Sequence, residues 1–71
     1  MKVEAEVAVG LVGGTWLRKP VEMEIPASSS LSDKMVKRTA ERQAAADPDI
    51  RIREDTVYFH CYSWAYDVKP E

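Results

Sequence analysis

Histidine, cysteine and the carboxylates are the residues of this chain best suited to catalysis or metal binding. The only histidine and the only cysteine are adjacent, at His60 and Cys61. Because neighbouring residues of a β-strand point to opposite faces, these two cannot easily share a metal or act as a nucleophile and base. Four glutamates alternate along two other segments: Glu4, Glu6, Glu22 and Glu24. A flat sheet face offers no cleft that would shift a carboxyl pKa, so we expect no metal, no other cofactor and no enzymatic activity.

A glycine-rich segment at residues 10–15 has a composition that phosphate-binding loops share. Such loops lead into the N-terminus of a helix and often end in Gly-Lys-Ser or Gly-Lys-Thr. This segment lacks that ending and lies between two strand-like patterns. We therefore interpret it as a hairpin turn.

Five of the six aromatic residues lie in the stretch from Thr56 to Val68. In a strand these residues sort into two faces. One face is apolar or small and suits packing under a helix: Val57, Phe59, Cys61, Ser63 and Ala65. The other face is aromatic: Tyr58, His60, Tyr62, Trp64 and Tyr66. Cys61 falls on the packing face, so we expect a buried, unreactive thiol.

Two segments before residue 26 alternate between apolar odd positions and polar even positions, at residues 3–9 and 21–25. This period of two predicts two strands of a hairpin. A three-residue loop, Gly13-Gly14-Thr15, would pair Val12 with Trp16 and place core residues opposite core residues.

In that register Glu4 lies opposite Glu24, and Glu6 lies opposite Glu22. Like charges across a ladder cost about 0.2–1 kcal/mol per pair. Either the long side chains splay into water, or the glutamates form an acidic patch for a cationic partner. Both interpretations stay open.

A helix is predicted from about Leu31 to Ala46, because this run contains neither glycine nor proline. Ser30 and Asp33 have the spacing of a capping box at its start. A face at helical spacing is predicted to pack on the sheet: Leu31, Met35, Val36, Thr39, Ala40, Gln43 and Ala44. Another face carries a row of three basic residues: Lys34, Arg38 and Arg42. This row is either a solvated helix surface or a second contact surface.

Residues 50–53 alternate as Ile-Arg-Ile-Arg, and we predict a short fourth strand there. A turn at Glu54-Asp55 would place Arg51 opposite Tyr58, where a cation–π contact is possible. The predicted fold is α+β: a four-stranded antiparallel sheet in the order β-β-α-β-β, with one helix packed on one face. The Thr56–Val68 stretch is expected to be a central strand, and residues 1–71 form a single domain.

Composition gives the same general class. The chain has 71 residues, 45% hydrophobic and 31% charged, with a net charge of −2. These values are ordinary for a small soluble protein and give no global attraction to nucleic acid. One cysteine cannot form an internal disulfide, and we find no apolar run of membrane-spanning length and no signal peptide. We expect a cytoplasmic protein.

The aromatic face and its charged border form the predicted interface. The predicted contact residues are Tyr58, His60, Tyr62, Trp64, Tyr66, Glu4, Glu6, Glu22, Glu24 and Arg51. Three uses compete: docking onto a basic protein surface, a homo-oligomer that sequesters a nucleotide-like small molecule, and base stacking on single-stranded nucleic acid. The glutamates would repel phosphates, so nucleic acid ranks last.

The opening residues Met1-Lys2-Val3, the run from Val7 to Gly14 and the later Ser63-Trp64 strand resemble a class of small phage-encoded accessory proteins. Those begin with a similar strand followed by a Gly-x-Val-Gly turn. The resemblance covers about the first fifth of the chain and a short C-terminal segment. The proline-containing second strand and the basic helix depart from it. It implies a role in host takeover or defence evasion, including anti-CRISPR-like inhibition, through binding and blocking a host protein.

Overall fold

A computed structural model describes residues 1–26 and 31–67 of the chain. Its elements, in order, are β1 (Lys2–Leu11), β2 (Trp16–Glu24), α1 (Asp33–Ala46), α2 (Pro48–Arg51) and β3 (Thr56–Asp67). The strands form one antiparallel sheet in the order β2-β1-β3. The predicted capping residue Ser30 and the end of the chain after Asp67 lie outside the described residues.

The fold is α+β as predicted, but the four-stranded sheet is wrong, because the sheet has three strands. The predicted fourth strand at residues 50–53 is largely the short helix α2. Asp47 caps this helix by accepting a hydrogen bond from the amide of Asp49 at 2.9 Å, and Pro48 occupies the first turn. Both features favour a helix start over a turn into a strand. Of the two isoleucines in residues 50–53, Ile50 is buried, at 6% exposure, whereas Ile52 is 79% exposed.

The central strand is β1, and its odd-numbered residues supply the middle of the core. Val3, Val7 and Val9 are completely buried. The predicted central strand, β3, is instead an edge strand, because within residues 1–26 and 31–67 no fourth strand pairs with its outer side.

The β1–β2 hairpin closes one residue earlier than predicted. Leu11 donates its amide hydrogen bond to the Thr15 carbonyl at 2.8 Å, so the loop is Val12-Gly13-Gly14. Both glycines have positive φ, +99° and +91°, which other residues rarely adopt. The register moves by two residues, so each side chain keeps its face.

Helix α1 packs against the sheet through small and branched residues. Val36, Ala40 and Ala44 are completely buried. The alanines let the helix axis lie close to the strands, as the pattern predicted. Helix α1 begins at Asp33, two residues after the predicted start at Leu31, and Ser32 caps it by accepting a hydrogen bond from the Met35 amide at 3.1 Å.

Two irregularities in β3 determine which way its side chains point. In the β1–β3 ladder, Glu6 lies opposite Ser63, but the next residue of β1, Val7, lies opposite Cys61. Tyr62 therefore has no partner on β1 and is an extra residue in β3. A second irregularity leaves Val57 without a partner near Leu11. Such bulges insert one residue into one strand and bend it.

The extra residue at Tyr62 reverses the alternation along the second half of β3. Trp64 lies opposite Ala5 and Tyr66 opposite Val3, both on the helix side of the sheet. Ser63 and Ala65 point to the other side. The prediction that Trp64 and Tyr66 share the face of Tyr58 is therefore wrong.

Two hydrogen bonds from α1 hold β3 on either side of the extra residue. The Glu41 carboxylate accepts from the Cys61 amide at 2.8 Å, and the Asp33 carboxylate accepts from the Trp64 indole Nε1 at 2.8 Å. Lys37 lies between them on α1 and pairs with Asp33 at 3.2 Å. The indole and then Lys37 hold the pKa of Asp33 below its ordinary value of 3.8.

Replacing Trp64 by Phe is expected to raise the pKa of Asp33 toward 3.8, since the indole is the main cause of its lowering. Because folding lowers the Asp33 pKa, the ionised carboxylate stabilises the fold at pH values above 3.8. This contribution is lost as the pH falls through the folded-state pKa. W64F should therefore lose less stability than the wild type between neutral and acid pH. Carboxyl NMR titration and denaturant unfolding measure both effects. An unchanged Asp33 pKa would contradict the indole contact.

Replacing Glu41 by Ala leaves the Cys61 amide without its acceptor. We expect the free energy of unfolding to fall by about 1.5–3 kcal/mol, the range for hydrogen bonds to charged groups. Glu41→Gln is the matched control, since its amide oxygen can still accept, and it should lose less than half as much. Equal losses for the two variants would show that the carboxylate acts through its charge alone.

Candidate binding site on the open sheet face

The sheet face that α1 does not cover carries most, but not all, of the predicted contact residues. The β1–β2 register and the first half of β3 place these residues there: Glu4, Glu6, Glu22, Glu24, Tyr58 and His60. Tyr62 joins them, because its ring contacts that of Trp16. Trp64 and Tyr66 are on the helix side, as described above.

Arg51 does not reach this face. It lies in α2, whose Ile50 enters the core on the helix side of the sheet. The predicted contact of Arg51 with Tyr58 is therefore wrong, since it required residues 50–53 to be a strand. Its neighbour Arg53 binds the Asp55 carboxylate through two hydrogen bonds of 3.0 and 2.9 Å.

One half of the open face is an aromatic patch, formed by Trp16, Tyr58, His60 and Tyr62. Trp16 and Tyr62 meet edge to face, with ring centroids 6.3 Å apart and planes at 79°. This is a favoured aromatic geometry. Trp16 is 55% exposed, Tyr58 51% and Tyr62 44%, so about half of each side chain is available to a partner.

The floor of the aromatic patch consists of the small residues Ala8 and Gly10 on β1. Gly10 lies between Trp16 of β2 and Tyr58 of β3. A Cβ atom at Gly10 would overlap the Tyr58 ring, which shows that this ring lies directly over the glycine. The patch therefore stacks on the central strand while its outer surface faces solvent.

The other half of the open face is an acidic groove of about 580 Å³. Its polar walls are Glu4, Glu6 and Glu22, and its small residues include Pro20, Ser63 and Ala65. Glu4 lies directly opposite Glu22. The reversal of β3 after Tyr62 is what places a serine and an alanine here, and their small size leaves the space open.

Ion pairs compensate part of the negative charge on this face. Lys2 Nζ lies 3.4 Å from Glu22 Oε1, and Arg18 Nε lies 3.7 Å from Glu6 Oε2. That Glu6 oxygen is buried and accepts no hydrogen bond from the described residues, because the contact with Arg18 is long. Glu24 pairs with the Met1 amino group at 3.2 Å. Glu4 has no ion pair within residues 1–26 and 31–67.

Cys61 is completely buried, as the sequence predicted, and burial raises the pKa of its thiol. A neutral thiol is a poor nucleophile and a poor metal ligand. Within the described part of the chain, no group of three or more histidine, cysteine, aspartate and glutamate side chains is arranged to hold a metal ion. No helix of the described residues is both long enough and apolar enough to cross a membrane.

Sequence reasoning missed Trp16 and Arg18 as residues of this face. Both have even numbers, and even positions of β1 and β2 all point away from the helix. The alternation of residues 16–24 would have found them if the strand had been extended back from Val21 to the glycine turn. Pro20 interrupted the pattern, although an edge strand tolerates proline.

The chain matches no protein family, no curated protein and no solved structure in the comparisons made.

Replacing Gly10 by Ala tests the stacking of Tyr58 on β1. The new methyl group would push the ring away from the strand, and we expect a loss of about 1 kcal/mol, at the low end for overpacking, because an exposed ring can move. In a Tyr58→Ser background the same change should be neutral or stabilising, since alanine is favoured over glycine in strands. Denaturant unfolding of all four proteins gives the coupling. Equal costs in both backgrounds would contradict the contact.

Proposed function

We propose that the chain is a non-enzymatic module that binds a partner protein through its open sheet face. The observation that supports this most directly is the aromatic patch. Three half-exposed aromatic residues lie together on a sheet face that no other described element covers. Tyrosine and tryptophan are the residues that most often dominate the energy of protein interfaces.

The edges of the sheet are less suitable for binding than its face. On β2, Pro20 cannot donate a backbone hydrogen bond, and Arg18 and Lys19 add charge, which protects an edge from further strands. On β3, the Cys61 amide already donates a hydrogen bond to the Glu41 carboxylate, and the two bulges distort the ladder. A partner strand would have no continuous row of free backbone groups on β3.

The acidic groove supports a partner with a basic surface. Glu4 lies in this groove next to Glu22, whose side chain is 63% exposed. A lysine or arginine of the partner can pair with these carboxylates beside the aromatic contact. The same carboxylates would repel phosphates, which favours a protein over single-stranded nucleic acid or a nucleotide.

The resemblance to small phage-encoded accessory proteins adds a biological role to this proposal. In that role the module inhibits a host protein by covering its surface, and no chemistry is needed. Measuring the partner's own activity with and without the module, once the partner is purified, tests the inhibition separately from the binding.

The binding test compares the two faces of the sheet with matched aromatic substitutions. Trp16→Ser with Tyr62→Ser removes two patch residues, whereas Tyr66→Ser removes an aromatic residue of similar exposure, 50%, from the helix side. A partner retained by the tagged wild-type chain is purified, and its dissociation constant is measured for each variant. We expect the double variant to bind at least about thirtyfold more weakly, as for one interface hot spot, and Y66S to bind within about threefold.

Circular dichroism establishes that each variant is folded before its binding is compared. If Y66S weakens binding as much as the double variant does, the contact surface is on the helix side and the proposal is wrong. If the double variant binds as the wild type does, the aromatic patch is not the binding site.

A further inference from the structure

The basic row on α1 is the largest group of positive charges without ion pairs in residues 1–26 and 31–67. Lys34, Arg38 and Arg42 are all exposed on the side of α1 that points away from the sheet. None of them is among the ion pairs of the described structure, which involve Lys2, Arg18, Lys19, Lys37 and Arg53 together with the Met1 amino group. The row borders a shallow groove of about 470 Å³ that Met35 and Thr39 also line.

The open sheet face of the same chain has the complementary charges at a similar spacing. Residues four apart on a helix rise by about 6 Å along its axis. Residues two apart on a strand are separated by about 6.6–6.8 Å. The cations at Arg38 and Arg42 can therefore face the carboxylates at Glu4 and Glu6 when the helix lies along β1.

We infer that a second copy of this chain binds the open sheet face through the outer surface of its α1. The inference rests on the proposed function and names a partner for the same site. A helix on the uncovered side would add a third layer to the fold and would remove the aromatic patch from water. The helix surface also offers apolar and cation–π contacts. The arginine stems can pack on the aromatic patch, and a guanidinium can lie against Trp16 or Tyr62.

The geometry of this contact predicts the form of the assembly. The sheet face and the outer side of α1 are on opposite sides of each copy, because α1 packs on the sheet through its inner residues Val36, Ala40 and Ala44. One copy that uses its sheet face still presents its own basic row. Such a heterologous contact continues from copy to copy and does not close as a two-fold dimer. We expect the mean mass to rise past that of a dimer as concentration increases.

A charge-swap experiment tests the contact. Arg38→Glu with Arg42→Glu makes the helix surface acidic, and Glu4→Lys with Glu6→Lys makes the sheet face basic. Each double variant alone should be monomeric, because its two surfaces then carry the same sign. An equimolar mixture should assemble again, since each surface of one variant is complementary to a surface of the other. Sedimentation velocity at low salt, about 20 mM, and again at about 0.5 M measures the masses, and salt should weaken the assembly.

A single substitution provides the matched control. Arg38→Glu should lower the association constant by at least about tenfold, whereas Arg51→Glu, which makes the same charge change on α2, should leave it within about twofold. A wild-type chain that stays monomeric at millimolar concentration and low salt would overturn the inference. So would a mixture that fails to assemble although both variants are folded, or an oligonucleotide that binds the basic row of a strictly monomeric chain.

These outcomes separate the inference from the proposed function. If self-association fails but W16S/Y62S still loses binding to a different protein, the open face is the binding site and only the identity of the partner is wrong. If self-association occurs and does not depend on Trp16 or Tyr62, the basic row binds another part of the chain and this inference fails.

Discussion

The extra residue in β3 at Tyr62 decides which side of the sheet each later side chain occupies. Phe59 and Cys61 before it and Trp64 after it all pack on the helix side, although their numbers have the wrong parity to share one face of a regular strand. A bulge interrupts the ladder and leaves backbone groups to be satisfied elsewhere. The Glu41 carboxylate accepts a hydrogen bond from the Cys61 amide. The helix that covers the core therefore also holds the irregular strand in place.

The extra residue determines which side chains of β3 lie on the open face as well as which lie in the core. Because Trp64 is withdrawn to the helix side, Ser63 and Ala65 line the acidic groove and leave it empty. Tyr62 itself is not part of the regular alternation, and its ring contacts that of Trp16. A sheet of three strands with one helix has a small core. The Tyr58 ring, which lies over Gly10, therefore contributes to the stability of the sheet while about half of its surface remains exposed.

The regular parts of this fold could be predicted from the sequence. The alternation of residues 3–9 and the burial of Cys61 follow from local periodicity and are correct, and the predicted inward face of α1 is correct at Val36, Ala40 and Ala44 but not at Gln43, which is exposed. The bulge could not be predicted from the residue types. Aromatic and small residues alternate in the same way before and after Tyr62, so the sequence of β3 does not reveal that an extra residue exchanges its two faces. Residues 50–53 were misassigned for a different reason. Two isoleucines in alternation suggested a strand, but Asp47 and Pro48 form a helix cap that decides the local conformation.

The charges of the chain are separated by layer, and the net charge of −2 conceals this. Outward positions of the hairpin carry four glutamates against two cations, Lys2 and Arg18, whereas outward positions of α1 carry the basic row of lysine and arginine. Exposed ion pairs contribute only about 0–1 kcal/mol each, so neither surface would bind tightly through charge alone. In the binding that we propose, the aromatic patch supplies most of the favourable free energy, and the flanking charges select the orientation of the partner and reject surfaces of the wrong sign. Under that proposal the patch and the groove act together on one face, where the β1–β2 register places the glutamates and Trp16, and the bulge at Tyr62 places Ser63 and Ala65 beside the glutamates.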